Sequence, residues 1–167
     1  KTAPNAAKHP VESVSWDDAV AFCQMLSELT GKAYALPSET QWEYAAKGGQ
    51  QSKGFEYAGS NEIDKVAWYN GNAKGTTHPV GEPDPNELGL YDMSGNVWEW
   101  CADDWHGDYK GAPQDGSAWV DNPRGPGRVL RGGSWLLNAQ HCRVANRFSL
   151  NPNIRSYDIG FRLCLFP

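Results

Sequence analysis

No apolar run in the 167-residue chain approaches the ~20 residues that span a bilayer, and its start carries no signal-peptide segment. The chain reads as soluble, tied to a membrane only through an anchor removed from it. Cysteine is sparse. Cys23, Cys101, Cys142 and Cys164 show neither a CxxC nor a Cys/His spacing, which argues against zinc and for buried free thiols. One bridge stays open, between Cys142 and Cys164, if they fall on neighbouring C-terminal strands in an oxidising compartment. Fixed-period repeats and low-complexity tracts are lacking, and so is any arginine before Arg124 or lysine after Lys110.

What is present is aromatic and loop-forming. Eight Trp, seven Tyr and five Phe stand with eighteen Gly and eleven Pro, the signature of one loop-rich domain held by large rings rather than of a helical bundle. The net charge of −5 argues against nucleic acid as a general partner. That charge is unevenly placed. Residues 1–110 carry eight Lys against nine Glu and eight Asp, a balance of −9, whereas residues 111–167 carry seven Arg against three Asp, a balance of +4. Arginine suits a planar fork held in a fixed, partly buried position, so a structural Arg network beneath the loops is expected; a basic site for an anionic ligand is the rival reading.

Two helices are legible. Ser15 with Asp18, and Ser38 with Gln41, form capping boxes. The first opens a helix over 16–29, with Val20, Cys23, Leu26 and Leu29 at helical spacing and an end near Gly31; the second opens a short helix through Trp42, Tyr44, Ala45 and Ala46, stopped by Gly48 and Gly49. Residues 49–85 and 106–127 read as loops. Arg128–Trp135 and Ile159–Cys164 read as buried strands, in which β-branched and aromatic residues alternate with Arg. Between them, Leu136, Leu137, His141, Phe148, Leu150, Ile154 and Tyr157 follow neither a period of 2 nor one of 3.6, so no single face buries them all. Some are therefore expected at the surface, where apolar groups suggest binding.

Four segments in order carry a resemblance: Pro10-Val-Glu-Ser-Val-Ser-Trp-Asp-Asp-Ala19; Leu36-Pro-Ser-Glu-Thr-Gln-Trp-Glu-Tyr-Ala-Ala46; Gly89-Leu-Tyr-Asp-Met-Ser-Gly-Asn-Val-Trp-Glu-Trp100; and Arg131-Gly-Gly-Ser-Trp135 closing with Ile159-Gly-Phe-Arg162. Together they resemble the formylglycine-generating enzyme, or sulfatase-modifying factor, family over nearly the whole chain. The resemblance implies an α+β, C-type-lectin-like fold across 1–167, with two short helices, small antiparallel sheets and much irregular loop. Enzymes of this family bind copper(I) through two cysteines shortly after the Gly-Gly-Ser motif, a soft cation needing paired thiolates. Here that segment is Leu136-Leu-Asn-Ala-Gln-His-Cys142, with one cysteine, so no catalysis is expected. The iron-dependent sulfoxide synthases sharing the domain draw their histidines largely from another domain, and only four dispersed His occur here.

The pairing of a Gly-Gly-Ser-Trp strand, a Cys-Arg-Val-Ala-Asn-Arg segment and a terminal Ile-Gly-Phe-Arg strand resembles the variable proteins of diversity-generating retroelements. In that system Asn codons become NNY codons, which never encode Lys, Glu, Gln, Met or Trp. Leu136, Leu137, Asn138, His141, Phe148, Ser149, Leu150, Ile154, Ser156, Tyr157 and Asp158 all belong to the permitted set. The resemblance implies a hypervariable ligand-binding region at about 136–158, presented on the surface of a bacterial cell or phage to a protein or glycan, with Arg143, Val144, Arg147 and Arg155 holding the scaffold. An oxidase with a divergent site around Cys142, or a non-variable module of a surface protein, is the alternative.

The family also binds calcium in a segment matching Asp92–Glu99, which carries Asp92, Gly95, Val97 and Glu99 over as ligands of a structural calcium. The plainer reading is a turn capped by Asp92 and Glu99 and paired with Arg. No other cofactor is implied. Trp98, Trp100 and Trp135 are expected in the core rather than stacked on a sugar, and Trp105 and Trp119 nearer the surface. His141 has no sequence partner for catalysis and reads as a contact residue.

Overall fold

The computed structural model describes residues 8–166. Helix α1 (Trp16–Thr30) starts at Ser15, whose side chain accepts from Asp18 N–H while Asp18 accepts from Ser15 N–H, and it ends where Gly31 takes φ 68°. Ala19 and Cys23 are buried, but Leu29 is exposed, so the buried stripe is narrower than the apolar spacing implies. Strand β1 (Ala33–Ala35) leads to α2 (Glu39–Ala46), opened by the Ser38–Gln41 box. The predicted 49–85 loop contains a 3-10 turn (Gly49–Gln51) and a short helical turn, α3 (Ile63–Val66), running into β2 (Ala67–Trp68). Strands β3 (Ser94–Gly95), β4 (Trp98–Asp104), β5 (Arg128–Arg131), β6 (Arg147–Leu150), β7 (Ile159–Gly160) and β8 (Cys164–Phe166) complete the chain.

The central sheet has the order β6-β5-β4-β7. It is mixed rather than antiparallel: β7 runs parallel to β4, with Trp98 opposite Ile159, because residues 151–158 carry the chain from one edge of the sheet to the other. Short β2 and β3 are also parallel, while β1 pairs antiparallel with β8 and so ties the C-terminal strand to the segment after α1.

Both predicted C-terminal strands are shorter than expected. The first stops at Arg131, where Gly132 and Gly133 take φ 97° and 76°; a Cβ on Gly133 would lie 2.6 Å from the His141 carbonyl, so only glycine allows the next loop to close here. The second splits into β7 and β8, with Arg162 in the break. Conversely, a strand appears inside the supposedly aperiodic region, where β6 pairs Leu130 with Phe148 and Arg131 with Arg147.

The sheet packs on both faces. Trp98, Trp100, Leu130 and Ile159 join Ala19, Cys23 and Leu36 on one side. Cys101 and Val129, the alternate residues, join Trp42, Ala46, Met93 and Val144 on the other. Cys142 lies in a 3-10 turn (Ala139–Cys142) and Cys164 in β8 opposite Ala35, so the suggested bridge has no neighbouring strands to form on, and all four thiols are free.

Candidate ligand-binding surface

The frame of the surface is an arginine network. Arg131 is wholly buried beneath Trp42, with its guanidinium 5.2 Å from the ring; it donates to the Asn146 and Val144 carbonyls at 2.6 and 3.0 Å and pairs with Glu43. Arg147 forms a fork with Glu39 at 2.6 and 2.7 Å and is stacked between Trp105 and Tyr109. Arg128 and Arg124 share buried Asp104 and cover Trp16. These forks tie the ends of β5 and β6 and the long 105–127 loop to the helices, as a planar guanidinium with several donors can.

Phe148, opposite Leu130, faces away from Arg131 and Arg147 across the sheet, and the display residues gather on and around that face. Leu136, Phe148, Ile154 and Tyr157 are 43, 45, 42 and 56 % exposed, and Asn138 and His141 are exposed too. Leu137, Ser149, Leu150 and Ser156 are half-buried, with Leu137 and Leu150 packed against the core beneath. Phe148 stacks on Trp98 at 5.7 Å, and Tyr157 leans on Trp135 at the same separation. Between Phe148, Leu137, Leu150 and Ile154 opens a cavity of about 450 Å³ whose floor is Trp98 and Ile159. His141, Arg155 and Ser156 supply polar groups to its lining.

Asp158 departs from the expectation of display. It is only 8 % exposed and accepts from Ser134 Oγ at 2.9 Å and Ser156 Oγ at 2.6 Å, while its carbonyl accepts from Trp98 N–H. Two hydroxyls and a backbone bond place it in the frame that joins β7 to β4. Sequence offered no signal for this, because the serines that hold it are 24 and 2 residues away. Arg155, expected in the scaffold, is exposed and forms a fork with Asp18 at 2.7 and 2.8 Å; chiefly through this bond, Arg155 holds the Asp18 carboxyl well below the usual range.

Trp98 and Trp100 are buried as expected, whereas Trp135 is half-buried; Trp105 is exposed and Trp119 is half-buried, stacked on His106 at 3.6 Å. His141 has no carboxylate or nucleophile bonded to its ring among the described residues. Cys142 is fully buried, and burial pushes its thiol up to about 12, the opposite of what a thiolate ligand or nucleophile requires.

Glu99 accepts from Arg162 through both oxygens at 2.6 Å and from the Trp42 indole N–H at 2.6 Å, and Asp92 accepts from Gly81 N–H at 2.7 Å. A guanidinium therefore answers the Glu99 charge. Gly95 stands in β3 with its amide donating to the Gly132 carbonyl, and Val97 is buried. Among the described residues no three His, Cys, Asp or Glu side chains gather around one point. At Glu99 the arrangement is a carboxylate–arginine clasp.

Residues 1–165 match the family model described as sulfatase-modifying factor enzyme 1-like domain. The chain is 31 % identical over 206 residues to the chaperone protein LppX of Paenibacillus barcinonensis, covering 93 % of this chain and 69 % of that protein. It is 37 % identical over 180 residues to the formylglycine-generating enzyme of Thermomonospora curvata, covering 95 % of this chain but only 56 % of the enzyme. Among solved structures, Treponema denticola variable protein 1 superposes with a TM-score of 0.84 at 32 % identity, over 100 % of this chain and 74 % of that one. The chain belongs to the formylglycine-generating enzyme, or sulfatase-modifying factor, family, and it shares the C-type-lectin-like fold of a variable protein.

Proposed function

We propose that the chain is a non-catalytic binding module, a retroelement variable protein in which a fixed frame displays a diversified surface to a protein or glycan outside the cell. The observation that carries this reading is the exposure of four apolar side chains on one stretch of chain, Phe148 and Ile154 lining one cavity and Leu136 and Tyr157 standing outside it, while Arg128 and Arg131 of the frame are buried. Apolar and aromatic groups supply contact area, and Asn138 and Ser149 adaptable hydrogen bonds, a division also found in antibody loops. The likeness to Treponema denticola variable protein 1 supports it.

The test is sequencing of this gene and its surroundings in many isolates of one lineage. Codons 136–138, 141, 148–150, 154, 156 and 157 are expected to vary, those of Arg131, Arg143, Val144, Arg147 and Arg155 to stay fixed, and a template repeat and reverse transcriptase to lie nearby. Invariant codons with no template repeat would overturn the reading in favour of a fixed surface module. The enzymatic relatives make an oxidase the second reading. Copper(I) titration and a peptide-cysteine oxidation assay decide it, and the lone, buried Cys142 thiol supports the expectation that neither responds.

A further inference from the structure

The proposed binding surface has a chemical preference that its exposed rings alone do not specify. Residues 122–157 contain no Asp or Glu, in a chain whose net charge is −5. The stretch instead places the Arg143 and Arg155 side chains, 46 and 57 % exposed, together with exposed His141 around the variable loops. The carboxylate that does line the cavity, Asp158, is buried and each of its oxygens is engaged by a serine hydroxyl, so it has little left to offer a cation. Arg143 faces Glu56 only at 4.0 Å, an exposed pair that contributes little, and Arg155 gives Nε and Nη2 to Asp18 while its Nη1 makes no hydrogen bond among the described residues, which leaves that donor for a further carboxylate.

The cavity beneath has apolar walls and an aromatic floor. At about 450 Å³ it lies toward the small end of ligand sites and accommodates one large side chain with the backbone that carries it. Its polar groups are few, and Ser156 is already bonded to Asp158, which leaves no fork of amides or carboxylates to read the hydroxyls of a sugar.

Resting on the binding-module reading, we propose that the cavity receives an aromatic or branched apolar side chain of a polypeptide whose neighbouring residues are acidic. The apolar group would lie on Trp98 between Phe148 and Ile154, and the flanking carboxylates would meet Arg155 and His141 at the rim. Such a site takes its affinity from the desolvated anchor and its selectivity and rate of encounter from the charges.

The probes are 3-phenylpropionate, 3-phenylpropanol and 3-phenylpropylamine, titrated into the isotope-labelled chain at low ionic strength and followed by NMR at the Trp98 indole and Ile154 methyl signals. The carboxylate is expected to bind about three- to ten-fold more tightly than the alcohol, with the amine weakest and the spread shrinking at about 0.5 M salt. Ile154→Trp, which fills the mouth from an exposed position, should abolish all three titrations without lowering the Tm. Phe148→Ala, which removes one wall, should weaken all three, and Arg155→Gln should bring the carboxylate down to the alcohol. An alcohol or amine that equals the carboxylate overturns the acidic partner; no binding by any probe, or binding that survives Ile154→Trp, overturns the cavity as the anchor site. None of these results alters codon variability, so the failure of this inference is separable from failure of the reading beneath it.

Discussion

Arg147 and Phe148 are consecutive residues of β6 with opposite fates. Arg147 turns inward, where Glu39 and the rings of Trp105 and Tyr109 hold every face of its guanidinium plane; Phe148 turns outward over the cavity, 45 % exposed. The same alternation separates the two regions of the molecule. In the frame, polar side chains are largely buried and most make several bonds at once, so each depends on several others. On the surface, apolar side chains touch few neighbours and can be exchanged one at a time. The usual inside-outside rule is locally inverted, and a binding surface accounts for the inversion.

The contrast breaks most visibly at Arg131. Arg131→Ala leaves buried Glu39 with Arg147 and half-buried Glu43 with exposed Lys47 as their remaining cations, and it removes the donors of two carbonyls, so stability in urea should fall by about 3–5 kcal/mol, often beyond what the fold tolerates. A loss below about 1 kcal/mol would show that the guanidinium network is not what holds the frame. Cys142 gives the next effect. Its thiol is raised from the ordinary value of 9.0 to about 12 by burial, so the folded chain keeps this proton where the unfolded chain releases it. The resulting stability is full below pH 9 and is lost as pH climbs toward 12, and Cys142 should resist a thiol reagent at pH 8 until the chain is denatured. Rapid native-state labelling at Cys142 would contradict its placement.

Phe148→Ala and Tyr157→Ala should each cost about 1 kcal/mol or less, read as a small shift of Tm, because each loses one ring contact and buries no unpaired group. Leu136→Asn should change stability less still. The smallest effect belongs to chelation: with Glu99 clasped by Arg162, removal of divalent ions should leave Tm unchanged, whereas a marked fall would restore calcium to the Asp92–Glu99 turn.

These regions also differ in how far sequence alone revealed them. Helices α1 and α2 were legible because their caps are local: Ser15 and Ser38 reach only three residues ahead. The display set was legible in outline, since Leu136, Phe148, Ile154 and Tyr157 among Asn and Arg fit no buried face. Strand β6 was hidden because it is four residues long and its outward side is apolar, which masks the polar-apolar alternation expected of an edge. The parallel β4–β7 pair and the inward turn of Asp158 arise from partners brought together by a loop crossing, as with Ser134 and Asp158, and no spacing encodes them. Arg162 breaks the last predicted strand for the same reason, because its guanidinium is needed at Glu99, 63 residues away in sequence.

The division between frame and display is tested most directly by saturation substitution of positions 128–162, with the folded fraction of every variant measured in one displayed library. The account predicts broad tolerance at 136, 148, 154 and 157 and collapse at Arg131, Ser134, Asp158 and Arg162. Equal intolerance at Phe148, Ile154 and Tyr157, with Arg131 freely replaceable, would contradict it.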